Sequence, residues 1–317
     1  MRYVKFGDMS VSAVALGTDV YGTDLDEKSS FDLLDFYTAN GGNLIDTANV
    51  YADWVPGEKG RSEKLIGRWL KGKKREDVII STKGGHPLLQ TMNVSRLSES
   101  EIISDMDESL KRLGTDYVDI YWLHRDDVNL PVDGIMETLF KLVKSGKTRY
   151  IGMSNWTAER IDEANRFAER EGLPKLCASQ IQYSMAVPNV ENNDPTLVLM
   201  NDQEYEYFKS HDMTVFAFAS QAKGFFSKIQ DGGIENLSPK ARDRYLNDES
   251  IKRYERIRIL AEKHDMTIGE TAMSALISNP DFKTVAIVGC KNTVQLKVSL
   301  GGCDFLLTPE EIGFIKA

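Results

Sequence analysis

Cysteine is scarce in this 317-residue chain, with only Cys177, Cys290 and Cys303. None stands in a CxxC pair, which excludes a disulfide scaffold and points to a reducing compartment. Cys290 reads as a small packed residue rather than a reactive thiol. Of the four histidines, His86, His211 and His264 lack metal-ligand spacing, and a strand-end His124 would not converge with Asp126 and Asp127 on one ion. No metal is expected. No stretch approaches the roughly 18 apolar residues of a membrane span, and the first six residues lack the apolar core of a signal peptide. The reading is a cytoplasmic protein with no membrane partner. Positive charge is also in deficit: 39 Lys and Arg against 48 Asp and Glu leave a net −9, which repels phosphate backbones and argues against nucleic acid. Any anionic ligand must be held by a local basic cluster. Linkers, low-complexity runs and internal repeats are missing too, so residues 1–317 are expected to form a single domain.

What is there is ordinary globular composition, 41% hydrophobic and 27% charged. Residues 2–13 alternate around Gly7-Asp8 and predict a hairpin. Eight β-rich runs follow: Val14–Gly17, Asn43–Thr47, Val78–Thr82, Val118–Leu123, Thr148–Met153, Ser179–Gln182, Thr214–Phe218 and Thr284–Val288. Helical patterns separate them, over Ser29–Asn40, Ser62–Lys71, Glu99–Leu113, Gly134–Ser145, Thr157–Glu171, Asp202–His211, Ile251–His264 and Thr267–Ser278. Ser29, Ser62 and Ser98 read as helix caps. Strand–helix alternation implies parallel pairing through right-handed crossovers. Eight units fit a (β/α)8 TIM barrel with an N-terminal β-hairpin better than an open sheet. The polar segment Gly224–Glu249 reads as a surface loop over the barrel mouth, and Val187–Pro195 as a second irregular stretch beside it.

In such a barrel, reactive groups sit where strands end. The second strand ends at Asp46, the third at Lys83 and the fourth at His124; Tyr51 follows Asp46 by five residues. An acid, an amine, an imidazole and a phenol at one mouth suit proton donation to a carbonyl oxygen. A free phenol titrates near 10, and a neighbouring ammonium is expected to lower that value, with Asp46 orienting Lys83. A Schiff-base role for Lys83 is disfavoured, because Asp46 would keep the amine protonated.

These residues lie in a series of motifs: Asp46-Thr47-Ala48-Asn49-Val50-Tyr51; Gly60-Arg61-Ser62-Glu63-Lys64-Leu65-Ile66-Gly67; Ser81-Thr82-Lys83; Ser109-Leu110-Lys111-Arg112-Leu113-Gly114-Thr115-Asp116-Tyr117-Val118-Asp119; and Ile151-Gly152-Met153-Ser154-Asn155-Trp156. Together they resemble the aldo-keto reductase superfamily over nearly the whole chain. The resemblance implies that Asp46, Tyr51, Lys83 and His124 form the catalytic tetrad, with Tyr51 as general acid. It implies that Ser154, Asn155 and Gln180 hold a nicotinamide carboxamide. Phe218 stands where the family usually has a stacking Tyr, and keeps the ring face. Lys223 falls near the cofactor phosphates. Residues 287–296 resemble the adenosine-phosphate loop, bringing Gly289, Lys291, Gln295 and, just beyond, Ser299 to that end. There Val288 replaces the usual Pro, Val298 a Glu, and Ser299 an Asn. Lys291 is placed to meet a 2′-phosphate, which favours NADPH, with NADH as the alternative; the competing reading makes Lys291 and Lys297 solvated surface lysines. The family binds its cofactor without a Gly-x-Gly-x-x-Gly fingerprint, which this chain also lacks.

The implied activity is reduction of a small-molecule aldehyde or ketone by hydride transfer, with a cofactor-binding sensor module of low turnover as the alternative. Trp54, Trp156 and Arg125 are candidate pocket walls suited to aryl or sugar-like substrates. Against this, either Trp can simply pack on a loop, and Arg125-Asp126-Asp127 can close an internal salt bridge.

Overall fold

The computed structural model describes all residues, Met1–Ala317. Strands β1 (Tyr3–Phe6) and β2 (Met9–Ser12) form an antiparallel hairpin, Tyr3 opposite Ser12 and Phe6 opposite Met9. Its turn uses Gly7 at φ +55°, where a Cβ would lie 2.0 Å from the Tyr150 hydroxyl oxygen, so a side chain is excluded twice over. Phe6 meets the Phe216 ring edge-on at 5.5 Å and thereby plugs one end of the barrel.

Eight strands make that barrel: β3 (Val14–Gly17), β4 (Leu44–Asp46), β5 (Ile79–Gly84), β6 (Val118–Leu123), β7 (Thr148–Ser154), β8 (Ala178–Gln182), β9 (Thr214–Phe218) and β10 (Thr284–Val288). They pair in parallel, in sequence order, and β10 returns to β3 to close the sheet. The (β/α)8 barrel with its N-terminal hairpin is therefore the fold. The interior is packed rather than open. Trp122 fills it against Phe216, and Gly152 makes the room: a Cβ there would sit 2.3 Å from the Trp122 ring.

Around the strands lie α1 (Glu27–Ala39), α2 (Arg61–Leu70), α3 (Glu99–Leu113), α4 (Val132–Lys144), α5 (Ala158–Arg170), α6 (Asp202–Ser210), α7 (Phe225–Gly232), α8 (Pro239–Tyr245), α9 (Asp248–His264), α10 (Ile268–Ile277), α11 (Thr293–Gly301) and α12 (Pro309–Lys316). No helix is long and apolar enough to cross a membrane. Three sequence expectations change. The α1 cap is Asp26, whose carboxylate accepts the Ser29 N–H at 2.8 Å, so Ser29 is the capped residue. The α2 start is Gly60 in the left-handed region, and the Ser62 hydroxyl instead donates to the Thr18 carbonyl inside the barrel rim. Segment 224–249 is not a plain loop: it holds α7, which buries Phe225, Phe226 and Ile229, and α8, which Ser238 caps. Residues 187–195 stay irregular apart from one 3-10 turn at Val190–Asn192.

Candidate active site

The C-terminal strand ends deliver the predicted side chains to one mouth. Asp46 closes β4 and lies opposite Ser81 of β5; Lys83 follows two residues along the same face; His124 comes directly after β6, its N–H bonded to the Gly84 carbonyl. The loop from Asp46 is laced to β5, with Thr47 N–H on Ser81 O and Asn49 N–H on Lys83 O. Beneath it, buried Glu63 accepts from Thr82 Oγ1 at 2.7 Å and from Arg112 at 3.1 Å, and Arg112 also holds the Asn49 carbonyl. This network, built from α2 and α3, fixes the loop that carries Tyr51. The Gly60–Gly67 and Ser109–Asp119 motifs thus have a physical task.

Asp46 and Lys83 are 1% exposed and His124 8%, whereas Tyr51 keeps partial exposure. The Lys83 ammonium has three protons and three acceptors: Asp46 Oδ2 at 2.5 Å, Thr47 O at 2.8 Å and Tyr51 Oη at 2.9 Å. Burial draws its pKa down while Asp46 holds it up. The other Asp46 oxygen accepts from Ser81 Oγ and from Gln180 Nε2. Since Lys83 donates to the phenol oxygen, the Tyr51 hydroxyl hydrogen is free to point into the mouth.

The direction of the Tyr51 shift corrects the sequence expectation. Burial, with the carboxylates of Asp46 and Asp19, holds the phenol well above its ordinary value, and Arg125 works against them. The physical reason is that Asp46 neutralises Lys83 at contact distance, so the pair presents little net field to Tyr51. The phenol therefore rests fully protonated. His124 packs edge-on to Tyr51 at 5.9 Å. Burial and the charges of Arg125 and Lys83 push its imidazole well below 6.5, keeping it neutral.

Beside this core, Ser154, Asn155 and Gln180 form a buried polar floor. Asn155, left-handed at φ 59°, donates to the His124 carbonyl and to Ser154 Oγ. Phe218 ends β9 half-buried at the rim. The next turn carries Ala219, Ala222 and Lys223 in the left-handed region, strain of the kind that persists at ligand clamps. Lys223 shares its surroundings with Lys228, Lys240 and Arg244. A cleft continues past Ser220, Gln221 and Gly224 to Gly269 and Ser299, whose hydroxyl accepts from Gln221 at 2.6 Å. At its far end Gly289 and Lys291 precede α11, capped by Asn292 on the Gln295 N–H; Lys291 pairs with Asp24 at 2.8 Å. An extended dinucleotide fits these residues: an aromatic face and amide groups at one end, cations along the cleft, and a helix start with a movable lysine at the other.

The pocket candidates divide. Trp54 is 48% exposed and lies 6.1 Å from the Tyr51 ring, at the mouth. Trp156 does not line it. It is fully buried, with its indole N–H on the Arg125 carbonyl and the Arg160 guanidinium over its ring, so it packs behind the rim. Arg125 is half-buried beside Tyr51, and the expected internal bridge forms instead between Asp126 and Arg160. Sequence reasoning passed over His86, whose ring lies 4.8 Å from that of His124, and Asp19, which faces Gly289. Their signal was position, three residues after Lys83 and two after the end of β3.

The comparisons agree with this architecture. The sequence profile described as "Aldo/keto reductase family" matches residues 13–317. A "Probable voltage-gated potassium channel subunit beta" of Arabidopsis thaliana is 29% identical, covering 98% of this chain and 94% of its own. "Aldo-keto reductase str7" of Strobilurus tenacellus is 27% identical, covering 99% and 87%. A crystal structure of the thermostable aldo-keto reductase Tm1743, in complex with the inhibitor epalrestat, superposes with a TM-score of 0.75 at 23% identity, over 100% of this chain and 99% of that one. The chain belongs to the aldo/keto reductase family of oxidoreductases.

Proposed function

We propose that the protein reduces an aldehyde or ketone to an alcohol with NADPH, in a single-domain barrel, with Tyr51 as the proton donor. The observation that carries this reading is the saturated Lys83 ammonium, which leaves the Tyr51 hydroxyl hydrogen as the free proton of the network. The cofactor, when bound, supplies hydride. Ser154, Asn155 and Gln180 would hold its carboxamide, Phe218 would cover the ring, and Lys223, Gly289, Lys291, Gln295 and Ser299 would meet the rest. The buried floor excludes water from the transfer site.

On the chain's side, the neutral His124 imidazole hydrogen-bonds the carbonyl oxygen and orients it toward Tyr51. Tyr51 then gives up its proton as charge develops on that oxygen. Lys83, already donating to Tyr51 Oη, stabilises the phenolate as it forms, and Asp46 holds Lys83 in place. A phenol whose resting pKa is high stays protonated until that moment. In alcohol oxidation the same phenolate is the base.

NADPH is favoured over NADH because Lys291 is tied only by an exposed ion pair with Asp24. Such a pair is worth about 0–1 kcal/mol, and a 2′-phosphate displaces it readily. A steady-state assay over a panel of carbonyls with each cofactor tests the reading. Carbonyl-dependent oxidation, faster with NADPH, supports it. Cofactor binding without oxidation of any carbonyl favours a sensor module instead, the reading for which the channel-subunit relative speaks.

A further inference from the structure

His86 and Arg125 border the proton-donating group and have no task in it. His86 is held rigidly. Its Nδ1 lies 2.7 Å from the Pro87 carbonyl, Arg96 holds its own carbonyl, and Arg96 is paired to Asp105, which also takes the Gly85 N–H. A carbonyl oxygen cannot donate, so Nδ1 carries the proton and Nε2 is left as a lone-pair acceptor. Nε2 has no protein partner. Burial and the Arg125 charge push this imidazole down to about 4, so the acceptor persists at neutral pH. Arg125 is the complement. One N–H bonds the His124 carbonyl, its Nε is buried without a partner, and the nearby carboxylate of Asp126 is taken by Arg160. Its charge reaches Tyr51, Lys83, His86 and His124 alike, which places the guanidinium at the same opening.

We propose that His86 and Arg125 form a recognition site for a hydroxyl group on the carbon next to the carbonyl, so that the preferred substrates are α-hydroxy aldehydes and ketones, the grouping found in open-chain sugars. This rests on the reductase reading above. The logic is one of donors and acceptors. A hydroxyl accepts from the guanidinium and donates to Nε2, satisfying both. A carboxylate satisfies Arg125 but sets negative charge against the imidazole lone pair, with Asp194 already felt by both side chains. A methyl group satisfies neither and leaves two polar groups unpaired in a shielded site. Position follows from the chain: Arg125 adjoins His124, and the His86 ring packs on the His124 ring. A carbonyl oxygen held by His124 thus puts the neighbouring carbon beside the pair.

Hydroxyacetone, butanone and pyruvate share an acetyl end and differ only in the group read by this pair. The expected kcat/KM for hydroxyacetone exceeds that for butanone by at least about tenfold, with pyruvate below hydroxyacetone. His86→Leu and Arg125→Met each bring the hydroxyacetone-to-butanone ratio toward one, chiefly through KM, and His86→Gln, which keeps an acceptor, retains part of it. A preference for pyruvate, a wild-type ratio near one, or a ratio unmoved by both variants overturns the proposal. Binding to the dead-end complex of wild type with oxidised cofactor, read by protein fluorescence, separates the two readings. Tighter binding of hydroxyacetone than butanone there, without turnover of any ketone, counts against the reductase and for the recognition site; equal binding counts against the site.

Discussion

Lys83 and Asp46 sit 2.5 Å apart at 1% exposure each, and the consequence is a stability that depends on both. Lys83→Met strands a buried carboxylate with only Ser81 and Gln180 as partners and is expected to cost about 3–5 kcal/mol in urea unfolding. Lys83→Met with Asp46→Asn recovers most of that loss, because no uncompensated charge remains; a double variant as unstable as the sum would contradict the coupling. His86 gives a pH-dependent term of definite sign. The unfolded imidazole binds its proton near 6.5 and the folded one near 4, so the unfolded chain holds more protons between those values. His86 therefore subtracts stability as pH falls from 6.5 to 4. The urea midpoint should drop more in wild type than in His86→Gln over that window, and parallel drops would contradict it. Asp46, Lys83, His124 and Tyr51 were legible at this scale because a hydrophobic run marks its own end and barrel chemistry sits there. Trp156 was not legible as a core residue. It follows its strand as a rim residue would, and only the positions of Arg160 and the Arg125 carbonyl decide that it turns inward.

Helix termini show where local signals compete. Asp26 and Ser29 are both good cap residues, three apart, and the sequence alone does not say which caps which. The carboxylate of Asp26 on the Ser29 N–H settles it. Asp26→Ala should cost about 1 kcal/mol of stability and Ser29→Ala less than about 0.5; equal losses in chemical denaturation would restore Ser29 as the cap. Gly60 displaces Ser62 at the start of α2 because the chain must turn through a left-handed residue there, which frees the Ser62 hydroxyl to tie the helix to Thr18. Helices α7 and α8 escaped notice because eight and seven residues carry too few apolar positions to show a period, although Ser238-Pro239 is a helix-start signal.

At the scale of the molecule, strand order was the most readable property: eight strands separated by helices admit few topologies once crossovers are right-handed and connections short. What the order could not supply is which loops converge over the mouth, since that depends on side chains such as Glu63, Arg112 and Asp105 reaching between consecutive units. The barrel also makes binding global. A cofactor spanning from Ser154 to Lys291 touches the ends of β7, β8, β9 and β10 together, so NADPH at one hundred times its Kd should add about 2.7 kcal/mol to stability. Thermal denaturation with and without NADPH checks this, and Lys291→Ala should shrink the NADPH shift more than the NADH shift.

Single-turnover reduction of a carbonyl by wild type and by Tyr51→Phe, both preloaded with NADPH, examines the proton donor itself. The account predicts a loss of at least about 10²-fold in the rate of cofactor oxidation, with cofactor affinity nearly unchanged. A Tyr51→Phe protein that oxidises NADPH at close to the wild-type rate contradicts it.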